Sequence, residues 1–117
     1  MEHRAYLMRL KKENIQNYID IHKKENIWKD VVEGLKSAGF TRMLIFQYGQ
    51  DIILFEEAEN LQESYTFLDK DKKSAKWDAM IAEWMEAYYP EWNEIKQDIE
   101  FQEIPVVFYF DEGLLKH

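Results

Sequence analysis

The sequence lacks cysteine altogether, which excludes disulfide bonds, thiolate catalysis and cysteine-ligated zinc sites. Glycine and proline are scarce, with four and two residues, and no low-complexity linker interrupts the 117 residues. We therefore expect a single domain over residues 1–117. No apolar run approaches the roughly 20 residues that a membrane-spanning helix needs, so we expect no membrane segment.

Basic side chains are outnumbered by acidic ones, 15 against 23, which gives a net charge of -8. This balance argues against nucleic acid and against an anionic membrane surface as partners, because both select proteins with a positive surface. Met1 leads into a strand-like segment and not into an apolar leader. We therefore expect a cytoplasmic protein.

Motifs for nucleotide binding and for serine hydrolysis are also missing, since the chain has no GxGxxG, P-loop or GxSxG pattern. The three histidines are far apart in the sequence, and none has the spacing of a metal site. We therefore expect neither a metal nor another cofactor.

Hydrophobic periodicity predicts alternating strands and helices. Strands are predicted at residues 4–10, 40–47, 51–57 and 104–110, with a tight turn at Gly49. Helices are predicted at residues 13–24, 27–38, 61–68 and 74–88, the last with Ser74 as its N-cap, and the acidic stretch 91–100 is expected to be irregular. This order is typical of the ferredoxin-like split βαβ arrangement, an α+β fold with an antiparallel sheet and helices on one face.

Both faces of the predicted sheet carry apolar side chains. In the third strand Ile52 and Leu54 point to one side, while Ile53 and Phe55 point to the other. Val107 is likewise expected on the face that the helices leave uncovered. We expect a second copy to cover that face in a homodimer, and the alternative is a pocket-lining face in a monomer.

His22 is the first candidate for chemistry. It follows Tyr18 by four residues on the apolar side of the first helix, so the imidazole and the phenol face the same place, with Trp28 nearby. This grouping favours an acid–base site, whereas the alternative is a buried structural histidine. His3 and His117 are expected to be solvated.

Tryptophans and carboxylates supply further candidates. Trp77, near the start of the last helix, is expected to form the floor of a sugar-binding pocket, while Trp84 on the same helix face is expected in the core. Glu56, Glu57 and Glu59 could include one inward-facing carboxylate, and the sequence leaves open which one.

Several segments together resemble the L-rhamnose mutarotase family. They are RAYLMRL, NYIDIHKKENIWKDVVEGLKSAGF, MLIF, DIILFEEAE, KWDAM and VVFYF, and they extend over about residues 3–111. The resemblance implies a dimeric α+β barrel and a sugar 1-epimerase that uses no cofactor.

The resemblance also implies roles for individual residues. His22 matches the catalytic proton donor, Tyr18 a tyrosine that contacts the sugar, and Trp77 the second residue of a substrate-holding Trp-Trp pair. Trp28, in the Ile-Trp pair that opens the second helix, is also expected to bind the substrate. The sequence departs from the pattern at Lys76, in place of the first tryptophan, and at Met43, in place of a strand tyrosine. Two additional residues also precede the Ile-Trp pair. The methionine on that strand and the helix without the doubled tryptophan resemble the branch that acts on L-fucose.

The implied reaction interconverts the α and β anomers of a 6-deoxyhexose, L-rhamnose or L-fucose. Ring opening needs a group that protonates the ring oxygen, for which His22 is suited, and a second group that takes the C1 hydroxyl proton. Tyr18, Glu56 or water could be that second group. The alternatives are a cofactor-free, monooxygenase-like enzyme of the same fold and a non-catalytic small-molecule-binding module.

Overall fold

The computed structural model describes residues 1–86 and 102–116. Their strands are β1 (Glu2–Leu10), β2 (Phe40–Tyr48), β3 (Asp51–Ala58), β4 (Met85–Glu86), β5 (Gln102–Ile104), β6 (Phe110–Asp111) and β7 (Leu114–Leu115). Their helices are α1 (Ile15–Ile21), α2 (Lys29–Ala38), α3 (Leu61–Asp69) and α4 (Lys72–Glu83), with a 3₁₀ turn at Lys12–Asn14 before α1.

The main sheet has β1 at its centre. Its strand order is β2-β3-β1, and β4 and β5 both pair with β1 on its other side, with every pairing antiparallel. The order β5-β1-β3-β2 is that of the split βαβ arrangement, so the predicted α+β fold is confirmed. The remaining two strands, β6 and β7, form a separate hairpin.

The sheet has an inner face covered by the helices and an outer face that they leave free. Met8, Leu10 and Ile52 lie on the inner face and are buried in the core with Tyr18. The outer face carries the residues between them in the strands, namely Ala5, Leu7, Leu44, Phe46, Ile53 and Phe55. The expectation of two apolar faces is confirmed for the strands that form this sheet.

Helix ends follow local rules that the sequence partly revealed. Gly39 ends α2 in the left-handed conformation, at φ 92°, where a side chain would be strained. Asn60 begins α3 by accepting a hydrogen bond from the backbone N–H of Glu63. The turn between β2 and β3 contains Gly49 at φ 59°, as predicted.

The last long helix begins earlier and ends earlier than predicted. Asp71 is its N-cap, and its carboxylate accepts hydrogen bonds from the backbone N–H of Lys73, at 3.2 Å, and from the hydroxyl of Ser74, at 2.9 Å. Ser74 is therefore not the cap, because Asp71 offers two acceptor oxygens three residues earlier. At the other end Trp84 terminates the helix, and β4 follows directly.

The predicted last strand, 104–110, is wrong in its extent. Ile104 belongs to β5 and Phe110 to β6, while residues 105–109 lie in no strand. Val107 is 85% exposed and belongs to none of the strands, so it is not a residue of the sheet face as predicted. The predicted helix to residue 88 and the irregular stretch 91–100 fall partly or wholly on residues 87–101, outside the described residues.

Within the described residues, none of the helices has the length and apolar character that crossing a membrane requires.

We expect Asp71→Ala to lower the free energy of unfolding by about 1 kcal/mol, because an N-cap acceptor of α4 is lost. Asp71→Asn keeps one acceptor oxygen and should retain most of the stability. Urea denaturation of the two variants and the wild type measures the difference. Equal stability of Asp71→Ala and the wild type would contradict the assignment of this cap.

Candidate active site

His22 lies directly at the carboxyl end of α1. The helix ends at Ile21, one turn after Tyr18, and His22 is its C-cap residue. The ring atom Nδ1 lies 2.7 Å from the backbone carbonyl oxygen of Tyr18. The helix is therefore shorter than the predicted 13–24, and the imidazole pairs with a carbonyl at the helix end.

This hydrogen bond determines where the proton of the neutral imidazole lies. A carbonyl oxygen only accepts, so Nδ1 must be the donor and must carry the proton. Nε2 on the opposite side of the ring then has a free lone pair when His22 is neutral and a proton to give when it is charged. One nitrogen orients the ring, and the other remains for chemistry.

Aromatic rings surround the imidazole. The ring centroids of Tyr18 and His22 are 4.2 Å apart, and those of His22 and Trp77 are 5.2 Å apart in an edge-on arrangement. Trp28, in turn, lies edge-on to Trp77 at 5.1 Å. The four residues singled out from the sequence therefore form one continuous cluster, in which helices α1 and α4 and the residue before α2 meet.

A cavity of about 1310 Å³ opens between these helices and the inner face of the sheet. Tyr18, His22 and Trp77 all line it, whereas Trp28, predicted to bind the substrate, is not among the described lining residues and contacts the ring of Trp77. Of the two positions at which the sequence departs from the family pattern, Met43 lines the cavity. Lys76 is exposed outside it.

Burial shifts the acid–base properties of both candidate catalytic groups. It lowers the pKa of His22 below its usual value, and the hydrogen bond to the Tyr18 carbonyl acts in the opposite direction. The Tyr18 side chain is only 4% exposed, and burial raises the pKa of its phenol. Tyr18 therefore keeps its proton at neutral pH and acts as a hydrogen-bonding group, while His22 changes charge more readily.

Glu56 is the inward-facing carboxylate that the sequence left undecided. It is 0% exposed, and one carboxylate oxygen accepts a short hydrogen bond from the hydroxyl of Tyr65. Burial raises the pKa of Glu56, and the Tyr65 bond and the charge of Arg4 oppose that rise. Because side chains alternate along a strand, Ile52, Leu54 and Glu56 lie on the same face of β3, and this pattern could have identified Glu56 as the inward-facing carboxylate.

The structure adds residues that sequence reasoning missed. Tyr65 on α3 and Asp78 on α4 both line the cavity. Burial and the neighbouring charge of Asp69 raise the pKa of Asp78. No periodic signal marked either residue, because a polar side chain on a helix surface is ordinarily solvated.

The other histidines do not belong to the cavity as described. His3 was expected in solvent, but it is half-buried, with its ring stacked against Phe55 and 4.5 Å from the ring centroid of Tyr109. His117 lies outside the described residues. Among residues 1–86 and 102–116, no group of three or more His, Asp and Glu side chains could hold a metal ion.

The lowered pKa of His22 makes folding stability depend on pH. The fold favours the neutral ring, so its stability is full above the unfolded pKa near 6.5 and falls as the pH drops toward the lower folded value. We expect the free energy of unfolding to fall more steeply between about pH 7.5 and about pH 5 in the wild type than in His22→Gln. Parallel slopes in urea denaturation across this range would contradict the lowered pKa.

Two solved structures have a fold similar to that of this chain. Among solved structures, the chain is similar to an L-rhamnose mutarotase from Formosa agariphila, with 20% sequence identity, a TM-score of 0.72, and coverage of 95% of this chain and 100% of that one. It is also similar to tetracenomycin F2 cyclase from Streptomyces glaucescens, a type-II polyketide cyclase, with 11% identity, a TM-score of 0.57, and coverage of 95% and 98%. No curated protein sequence matches the chain.

These two structures carry unrelated chemistries on the dimeric α+β barrel type of fold, so they bear out the fold and not the reaction. The family comparison is more specific. The family model of L-rhamnose mutarotase matches residues 3–110, which is nearly the whole chain and includes the cluster around His22. On this match, the chain belongs to the L-rhamnose mutarotase family.

Proposed function

We propose that this protein interconverts the α and β anomers of a 6-deoxyhexose, with L-rhamnose as its first candidate substrate. The observation that carries the proposal is the geometry of His22, whose ring lines an aromatic-walled cavity while its Nδ1 is held by the Tyr18 carbonyl, so that Nε2 is the nitrogen left for proton transfer. Family membership supports a sugar isomerase in general, and the identity of the acid–base groups is our inference.

In the proposed reaction, charged His22 gives the proton on Nε2 to the ring oxygen as the bond between C1 and that oxygen breaks. The C1 hydroxyl loses its proton to water, and its oxygen becomes the aldehyde oxygen. Rotation about the C1–C2 bond presents the other face of the aldehyde. In ring closure neutral His22 takes the proton back from the C5 hydroxyl as its oxygen attacks C1, and water returns a proton to the aldehyde oxygen, which becomes the C1 hydroxyl again.

Tyr18 and Trp77 position the sugar in this proposal. The phenol of Tyr18 keeps its proton, because burial raises its pKa, and it donates a hydrogen bond to a sugar oxygen near C1. Trp77 offers an apolar wall next to the imidazole, against which the C–H face of a sugar packs. Trp28 contacts Trp77 edge-on and fixes the position of its ring.

L-fucose is the second candidate substrate. Met43 lines the cavity, so an apolar side chain stands in the wall where the family resemblance implies a phenol. A wall with one polar group fewer changes which hydroxyl orientation is bound best. Both sugars therefore belong in the first assay.

We expect catalytic amounts of the wild type to accelerate exchange between the anomeric H1 signals of L-rhamnose or L-fucose in saturation-transfer NMR. His22→Gln should reduce that acceleration at least about 100-fold, because a general acid contributes that much. His3→Gln, at the outer face of the sheet, is the matched control and should retain wild-type exchange. Wild-type rates in His22→Gln would remove His22 from the mechanism.

We further propose that a second copy of the chain covers the outer face of the sheet. Phe46 is 55% exposed there and Ile53 39%, and Leu44 and Phe55 lie beside them on the same face. A contiguous apolar face of this kind marks an interaction site. Association of two identical faces about a two-fold axis buries this face on both copies at once.

We expect Phe46→Asp to convert the dimer to a monomer, because each interface would then bury two unpaired carboxylates. Sedimentation equilibrium measures the change. Thr66→Asp, an equally acidic substitution on an exposed helix position, should leave the dimer intact. A wild type that sediments as a monomer, or a Phe46→Asp variant that stays dimeric, would show that this face is not the dimer interface.

A further inference from the structure

Four side chains form a polar row at one end of the cavity. Arg4 and Tyr6 of β1 lie within hydrogen-bonding range of each other, and so do Tyr6 and Tyr65. The hydroxyl of Tyr65 then donates to Glu56. Nothing in the proposed reaction at C1 uses this row, although Tyr65 and Glu56 both line the cavity.

The donor is known for the hydrogen bond at each end of the row. Arginine only donates, so in the bond between Arg4 and Tyr6 the phenol oxygen is the acceptor. Tyr65 in turn gives its hydrogen to Glu56. The hydrogen of the Tyr65 hydroxyl therefore points toward the carboxylate, and Glu56 is where the row ends.

The end of the row has an atom with no partner. Oε2 of Glu56 is buried and has no hydrogen-bond partner among the described residues. A buried carboxylate oxygen without a partner is unfavourable, so such atoms in folded proteins are usually satisfied by a bound group. A hydroxyl suits this oxygen in either protonation state of Glu56, because a hydroxyl both donates and accepts.

The place of Glu56 in the sheet separates it from the reacting carbon. It lies four residues beyond Ile52, which is about 13 Å along the strand, and Ile52 shares the core cluster with Tyr18. Its cross-strand neighbours are Arg4 and Met43. Both oxygens that exchange protons in mutarotation are bonded to C1, and the proposed reaction assigns that end of the sugar to His22 and Tyr18. Glu56, which lines the same cavity from β3, is therefore placed to hold a hydroxyl on another carbon.

We propose that Glu56 is a specificity-determining residue that binds a sugar hydroxyl on the side of the ring remote from C1, through Oε2, while Tyr65 holds its other oxygen. This inference rests on the proposed mutarotase activity. Met43, the cross-strand neighbour of Glu56, also lines the cavity, and its unbranched side chain can adapt to a bound sugar. The hydroxyl concerned is that on C3 or C4, the two hydroxyl-bearing ring carbons that are not bonded to C1 or to the ring oxygen.

Two variants at Glu56 test this role by saturation-transfer NMR with L-rhamnose and L-fucose. Glu56→Met removes both carboxylate oxygens and should raise KM about tenfold or more, with a smaller change in kcat. Glu56→Gln keeps an acceptor for Tyr65 and places an amide where Oε2 was, so its effect on KM should be only a few-fold. Glu59→Met, at an exposed glutamate of the same segment, is the control and should match the wild type.

Deoxygenated substrates then show whether Glu56 binds a sugar hydroxyl directly or only supports the fold. The assay compares the better substrate with analogues that carry hydrogen in place of the hydroxyl at C2, C3 or C4. For the C3 or the C4 analogue, wild type and Glu56→Met should have equal KM, because the partner of Oε2 is already missing. For the C2 analogue the full effect of the substitution should persist.

The outcomes separate this inference from the proposed function. Accelerated exchange in the wild type with unchanged KM in Glu56→Met, or an equal loss with all three analogues, would overturn the role of Glu56 and leave the mutarotase intact. Absence of wild-type exchange with both sugars would instead overturn the proposed reaction. Sugar binding, followed by the intrinsic tryptophan fluorescence of the protein, then tests Glu56 directly, and equal affinity of wild type and Glu56→Met would overturn its role.

Discussion

The antiparallel register between β1 and β3 is the constraint on which the rest of the molecule depends. It places Met8 opposite Ile52 on the inner face and Leu7 opposite Ile53 on the outer face. Because side chains alternate along a strand, a slip of one residue would exchange the two sets. The core would then lose Ile52, and Glu56 would leave the cavity wall for the outer face. A single pairing register therefore determines which residues form the core, which line the cavity and which lie on the outer face.

The sequence was sufficient for the architecture because its hydrophobic pattern is regular where the sheet and helices meet. The alternation in β1 and β3 and the glycines at positions 39 and 49 predicted the elements closely. The sequence pattern gave a wrong helix start where two neighbouring side chains could both serve as the N-cap. Asp71 caps α4 because a carboxylate with two oxygens lies three residues before Ser74. Near the carboxyl end, apolar content alone predicted a strand that the chain divides between β5 and β6.

Only the part of the candidate site that lies on α1 could be predicted directly from the sequence. Tyr18 and His22 are four residues apart, so helical geometry alone brings them together. Trp77 joins them through the packing of α4, which the sequence suggested less directly. Tyr65 and Glu56 could not be paired from the sequence, because their meeting depends on how α3 lies across β3. The contact of His3 with Tyr109 depends likewise on a distant segment of the chain.

The hydrogen bond between His22 and the Tyr18 carbonyl leaves the imidazole a single site for exchanging protons, since Nδ1 is committed to the backbone. In many reactions catalysed by histidine, the imidazole ends the cycle with its proton gained or lost, and another group must restore the starting protonation state. Interconversion of anomers is its own reverse, because the proton given in opening returns in closing. A ring locked in one tautomer is therefore ready again after every turnover, and its rigidity costs the proposed reaction nothing.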